Sequence, residues 1–218
     1  MAESIAPSPL DAHPLEAGPF DARPLDARPL KVVAVSGSLH APSKTTALVR
    51  EIIAAFGREL SIDAHIIQVN DIGPEFAGAL RRDQLPASVE EELQRIESAD
   101  LLIVASPVYR ASFTGLFKHL FDFVGQYALV DTPVLLAATG GSDRHALIIE
   151  HQFRPLFGFF QALTLPIGVY ANDSEFTNHA VTSLDLHERI DLAVARAIPL
   201  IRVNVAEAES IERSLLGQ

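Results

Sequence analysis

Short apolar runs alternate with stretches of helical periodicity along most of this chain. VVAV at residues 32–35, within KVVAVSGS at 31–38, is a run of small and β-branched residues stopped by Ser-Gly-Ser, and it reads as a buried strand. A helical pattern over residues 44–58 follows, then a strand over 63–69. The connection over 71–86 carries Gly73, Pro74 and Gly78, and leads to a helix over 87–97 whose first turn holds Glu90, Glu91 and Glu92. LLIVA at 101–105 and PVLLAA at 133–138 show no polar alternation, as parallel strands covered on both faces require. Further helices are expected over 113–124, 144–162 and 183–201, with a last strand over 165–170. This alternation predicts an α/β fold, a doubly wound five-stranded parallel sheet with helices on both faces, most simply in the order 2-1-3-4-5.

Residues 1–30 break the pattern. From Pro9 onward a five-residue repeat (PLDAH, PLEAG, PFDAR, PLDAR) places proline too often for a helix and supplies too few apolar groups for a core, so a disordered or polyproline-like leader is expected. The remainder divides into one domain over 31–202 and a C-terminal tail over 203–218. With 218 residues, 48% of them hydrophobic, the chain can build one domain with a sizeable core. A formal charge of −11, with 17 unclustered Lys and Arg, argues against a nucleic-acid surface. Cysteine is absent, which removes disulfides, thiolate catalysis and zinc–thiolate sites. No apolar run has the length of a membrane span, and no basic segment followed by an apolar one marks a secretory signal, so the expected location is the cytoplasm.

Three expected strands end in polar or turn-forming text: Ser36-Gly37-Ser38, then Ser106-Pro107-Val108-Tyr109-Arg110, then Thr139-Gly140-Gly141-Ser142. The 2-1-3-4-5 order puts these ends side by side at one rim, where ligands of doubly wound sheets bind. The first loop leads into a helix N-terminus, whose unpaired N–H groups and positive dipole end favour an anion. It is neither a Walker A loop, since no glycine precedes Lys44, nor G-x-G-x-x-G, since Gly37 stands alone. Neutral donors at Ser36, Ser38, Ser43, Thr45 and Thr46 suit one terminal monophosphate; the competing reading is an ordinary turn in which Ser43 caps the helix. Pro107, Val108 and Tyr109 offer a flat apolar seat for a fused aromatic ring, and Gly140-Gly141 allows close backbone approach. In the helix over 144–162, Pro155 cannot bond the His151 carbonyl, which predicts a kink or a single π-helical turn at His151; the competing reading is a proline kink with a surface histidine. The other histidines show no metal-ligand spacing, and no metal is expected.

GSLHAPSKT after the first strand, SPVYRASFTGLFKHLFD after the third and ATGGSDRHAL after the fourth resemble the NAD(P)H-dependent FMN reductase family of flavodoxin-like fold. Within that family they are most similar to the small flavin reductases serving two-component alkanesulfonate and methanesulfonate monooxygenases; the resemblance covers residues 31–200. It implies FMN phosphate at Ser36, Ser38, Ser43, Lys44 and Thr45, the isoalloxazine over Pro107, Val108, Tyr109 and Arg110, and further ring contacts from Thr139, Gly140, Gly141 and Ser142. It implies hydride transfer from NADH or NADPH to FMN with no catalytic protein nucleophile, and delivery of reduced flavin to a flavin-dependent monooxygenase. His151 falls where such reductases carry a π-helical insertion tied to flavin transfer, and histidine rather than tyrosine there points to the methanesulfonate-type branch. The alternative is an FMN-retaining quinone or azo-type reductase. A flavodoxin-like electron carrier fits less well, because no tryptophan is present to shield the ring. Phe113, Phe117, Phe121 and Phe123, with Phe153, Phe157, Phe159 and Phe160, give apolar surface for a homodimer or homotetramer of the kind relatives form, unless these rings fill the core of one subunit.

Overall fold

The structure, a computed structural model, describes residues 28–216. The leader expectation therefore lies outside the described residues up to residue 27. Its last residues belong to the domain: Leu30 opens β1 (Leu30–Ser36), and Arg28 pairs with Asp100 at 2.6 Å. The chain continues as α1 (Lys44–Glu59), β2 (Ile62–Gln68), α2 (Val69–Phe76), α3 (Ala87–Glu97), β3 (Leu101–Pro107), α4 (Gly115–Asp122) and β4 (Pro133–Gly140). A π-helical turn (Ile149–Phe153) then runs into α5 (Arg154–Phe159), followed by β5 (Leu163–Thr164), β6 (Val169–Asn172), β7 (Phe176–Thr177), β8 (Ala180–Val181) and α6 (Leu184–Leu216). The parallel sheet has the order β2-β1-β3-β4-β5, as expected, with β6 also on β4. Alternate residues of β1 and β3 face opposite sides. Val32, Ala34, Leu101 and Ile103 pack with α1 and α6; Val33, Val35, Leu102 and Val104 pack with α3, α4 and the π turn.

Four differences from the sequence expectation have physical causes. α2 takes the last residue of the strand expected over 63–69 and the first part of the connection over 71–86, because fully buried Val69 and Phe76 hold a short helix despite Pro74 inside it. The last helix continues through residues 203–216, which were expected as a tail. Pro199 lies within it, and the stripe Ile190, Ala193, Val194, Ala197, Ile201 and Val205 stays buried on both sides of that proline. A hairpin of β7 and β8 follows β6, turned by Asn178 and His179 at φ 50° and 63°. Finally, most of the phenylalanines fill the subunit's own core. Phe117, Phe121, Phe153 and Phe157 are at most 1% exposed, with ring centroids of Phe117–Phe121 at 4.9 Å and Phe121–Phe157 at 5.0 Å, whereas Phe159 is 61% exposed.

Of the strand expected over 165–170 only the last two residues are strand, in β6, while β5 ends before it at Thr164. Pro166 has no N–H to give a ladder, and Gly168 lies where the π turn presses on the sheet. A Cβ on Gly168 would stand 2.6 Å from Ile149 Cγ2 and 3.0 Å from the Leu136 carbonyl oxygen. Gly168→Ala is accordingly expected to destabilise the fold by about 1–3 kcal/mol, measured as a lower denaturant midpoint with an unchanged slope.

Candidate active site

The C-terminal ends of β1, β3 and β4 lie in adjacent register, Ser36 opposite Ala105 and Pro107 opposite Thr139. Buried hydroxyls tie them together. Ser36 Oγ shares a 2.8 Å hydrogen bond with Thr46 Oγ1, and Thr45 Oγ1 shares one of 2.7 Å with Thr139 Oγ1. Thr114, the N-cap of α4, donates to the Gly37 carbonyl at 2.7 Å, and its own amide donates to Ser106 Oγ at 3.0 Å. Gly37 itself admits no side chain, since a Cβ would meet the Phe117 ring at 2.8 Å. The loops predicted after β1, β3 and β4 therefore share one rim.

Ser36 and Thr45 are expected at the phosphate both as neutral donors of the first loop and through the resemblance, but their hydroxyls are engaged inside the fold, at 0% and 2% exposure. Thr139 is likewise buried and engaged. What the first loop offers at the start of α1 is the amides of Lys44 and Thr45, which precede any intrahelical partner, and the part-exposed side chains of Ser43 and Lys44; Ser38 is buried, its hydroxyl donating to the His40 carbonyl at 3.0 Å. Ser43 also caps the helix, accepting from the Thr46 amide at 3.2 Å, so both readings of that residue hold together. Lys44 Nζ reaches the loop after β6, where it pairs with Asp173 Oδ1 at 3.0 Å and donates to the Asp173 carbonyl at 3.2 Å.

After β3, the Val108 amide donates to the Thr139 carbonyl at 2.8 Å, joining the second loop to the third. Tyr109 and Ser112 exchange backbone hydrogen bonds of 2.8 and 3.1 Å around Arg110 and Ala111, whose φ values are 51° and 66°. This tight turn leaves Tyr109 42% exposed and Arg110 at the surface. Ser112 Oγ then donates to Gln152 Oε1 at 3.1 Å, fastening the turn to the π helix. His151 lies in that π turn, exposed, and lines a cavity of about 160 Å³ with Val108, Ala111, Arg144, His145 and Gln152. After β4, Gly140 and Ser142 approach Tyr170, whose hydroxyl donates to the Ser142 carbonyl at 2.6 Å. Burial, aided by the carboxylates of Asp143, Asp173 and Glu175, pushes the Tyr170 phenol above its usual range, against the Ser142 bond.

This donor set fits FMN. Helix-terminal amides, small hydroxyls and one lysine match a phosphate monoester, and the half-exposed Val108–Tyr109 segment beside Gly140 to Ser142 offers an apolar wall next to polar backbone for a fused ring. Sequence reasoning missed Thr114 and Asp173. The first lies inside the helix expected over 113–124, and only the structure, which starts α4 at Gly115, makes it the N-cap; the second had no signal, because its position follows from β6 and α6 packing.

Sheet order, winding reversal between β1 and β3, and a helix N-terminus at that point define a flavodoxin-like nucleotide-binding protein. Residues 30–177 match the family described as NADPH-dependent FMN reductase, and the chain belongs to that family. It is an NAD(P)H:FMN oxidoreductase that uses FMN with NADH or NADPH. The chain is 57% identical over 170 residues to an NADH-dependent FMN reductase, SfnF, of Pseudomonas fluorescens (strain Pf0-1), covering 78% of this chain and 91% of that one. It is 56% identical, with the same coverage, to an FMN reductase (NADPH) of Pseudomonas aeruginosa. An oxidoreductase from Corynebacterium diphtheriae superposes with a TM-score of 0.70 at 30% identity, covering 79% of this chain and 97% of that one.

Thr139→Val keeps the shape of the side chain but strands the buried Thr45 hydroxyl, at an expected cost of about 1–3 kcal/mol in unfolding free energy. The double change Thr45→Val with Thr139→Val removes both partners and is expected to recover most of that loss in the same denaturation experiment.

Proposed function

We propose that this chain passes hydride equivalents from NADH or NADPH to FMN and releases the reduced flavin to a flavin-dependent monooxygenase of the sulfonate-using kind. The observation that carries the reading is the shared rim of the loops after β1, β3 and β4, locked by the Thr45–Thr139 and Thr114–Gly37 bonds. FMN, when bound, supplies the hydride-accepting ring nitrogen. The chain's own work is to bind and orient. The phosphate is held by the Lys44 and Thr45 amides with Ser38, Ser43 and Lys44; Ser36 and the Thr45 side chain fix the loop from inside. Pro107, Val108, Tyr109 and Arg110 seat the ring, with Gly140, Gly141 and Ser142 on its polar edge and Thr139 supporting them from below. Stacking two rings at this wall gives the proximity on which hydride transfer depends, with no protein acid or base required.

The π turn supports release over retention. Its Arg154 amide donates to the Ile149 carbonyl, five residues back, and Pro155 withholds the next donor. His151 sits on it, against the second loop. The identity to SfnF supports a sulfonate-system partner. Exposed Phe159 and Leu147, at 61% and 62%, flank the turn and support association into a homodimer or homotetramer. No helix among the described residues is long and apolar enough to cross a membrane, which is compatible with work in the cytoplasm.

Two measurements test this. Mixing the chain with NADH or NADPH and FMN is expected to bleach the flavin absorbance far faster than a buffer control, and an unchanged rate removes the reading. Deleting His151 shortens the π turn by its extra residue. The variant is expected to purify yellow, with FMN held more tightly than in the pale parent; a colourless variant with the parent's FMN affinity removes the turn from flavin release.

A further inference from the structure

Lys44 is the only lysine or arginine between residues 32 and 49, so it is the one strong cation the phosphate loop owns. The fold supplies its counter-charge in advance. Asp173 follows β6, whose last residue Asn172 is in register with Gly140, and it opens a short turn held from several sides. The Asn172 amide donates to Glu175 Oε2 at 2.8 Å, and Asn172 Nδ2 donates to Asp143 Oδ1 at 2.8 Å. Arg189 of α6 clamps Glu175 at 2.8 Å and donates to the Tyr170 carbonyl at 3.2 Å. So fixed, Asp173 meets Lys44 with its carboxylate at 3.0 Å and with its carbonyl at 3.2 Å. Its other carboxylate oxygen lies 3.7 Å from where a Cβ on Gly141 would stand. One carboxylate therefore spans from the first loop to the third, across the end of the rim where a phosphate would enter. Phe176, with its ring centroid 5.9 Å from Lys44 Nζ, confines the ammonium from a further side.

We propose that Asp173 is an affinity-setting residue: by sharing Lys44 with the flavin phosphate, it holds binding of the phosphate monoester weak enough for FMN to act as a substrate that leaves. The inference rests on the reading of residues 38–45 as the phosphate site. A dianion arriving at α1 must either draw Lys44 away from the Asp173 carboxylate, which stands on a turn braced at Asn172 and Glu175, or sit beside that carboxylate as a like charge. Either route subtracts from phosphate affinity and leaves ring affinity unchanged. Riboflavin, which has the ring and no phosphate, separates the two.

The test is titration of the chain with FMN and with riboflavin, followed by flavin fluorescence, for the parent, Asp173→Asn, Lys44→Met and the double variant. Asp173→Asn is expected to tighten FMN by about five- to tenfold at low salt and to leave riboflavin unchanged, with the gain shrinking as ionic strength rises. In the Lys44→Met background the Asp173→Asn gain is expected to shrink to the part that relief of like-charge repulsion supplies. Unchanged FMN affinity, equal tightening of both flavins, or a gain that is undiminished in Lys44→Met each overturns the proposal while the flavin site stands. A parent chain that binds neither flavin overturns the site reading and the proposal together. Asp173 is half-exposed, and thermal melts matched to the parent identify variants whose folding is intact.

Discussion

Buried hydroxyl groups decide where the rim of this sheet stands. Ser36 to Thr46, Thr45 to Thr139, Thr114 to the Gly37 carbonyl and Ser106 to the Thr114 amide join three strand ends and two helix starts through water-excluded hydrogen bonds. Each bond adds little net stability, but each group left unpaired at that depth would cost its full desolvation. That asymmetry makes the arrangement all-or-none: displacing one loop strands donors in its neighbours. The outward-facing backbone, including the first amides of α1 and the Val108–Tyr109 segment, inherits its position from this inner layer. The site is thus built with polar residues that need not touch a ligand, which is why Ser36 and Thr45 look like ligand residues in the sequence and act as joints in the fold.

The second constraint runs from the far edge of the sheet to the same rim. Pro155 removes one helical donor and the π turn absorbs the consequence, while Arg154 braces it by a fork to Glu150 at 2.6 and 2.8 Å and a bond to the Leu165 carbonyl at 3.2 Å. The Arg154 guanidinium holds the Glu150 carboxyl below its usual range, so this brace persists in mild acid. Ile149 of the turn occupies the gap that Gly168 leaves at the split of β5 and β6, and Gln152 accepts from Ser112. An irregular helix, an interrupted strand and the turn below the ring seat are mechanically one unit. A change in the length of the π turn is therefore felt at Val108 and Tyr109 without altering a residue there.

Much of this was legible in the residues themselves. Continuous apolar runs gave the strands and their parallel order, because both faces of such strands are buried; the Pro155 argument located the π turn, because it depends on one missing donor and not on context. The parts that stayed hidden are those decided by distant packing. Gly73 and Pro74 read as breakers, yet Val69 and Phe76 are anchored so deeply that α2 forms around them. The last helical pattern reads as ending at residue 201, yet Val205 finds the core beyond it and the helix continues. The aromatic stripes over 113–160 do not reveal which rings turn inward, and of their eight phenylalanines only Phe159 stays in solvent. Asp173 carries no local signal, since its meaning comes from Lys44, 129 residues earlier.

A chain of formal charge −11 that takes two anionic substrates must attract them by local rather than overall charge, because distant charges are screened beyond about 8–10 Å. The rim is uneven in this respect. At its phosphate end the single lysine is already matched by Asp173. At its ring end Arg110 and Arg144 make no ion pair among the described residues, while nearby Glu150 is paired with Arg154. Free positive charge is therefore concentrated on the side of Val108 and His151, away from α1. On the proposed reading of the site, an anionic dinucleotide meets this charge at the ring seat, while the flavin phosphate meets a lysine already paired with Asp173. Such a gradient favours an exchange in which one substrate is gathered while the other is only lightly held, and it arises from which charges the fold has chosen to pair.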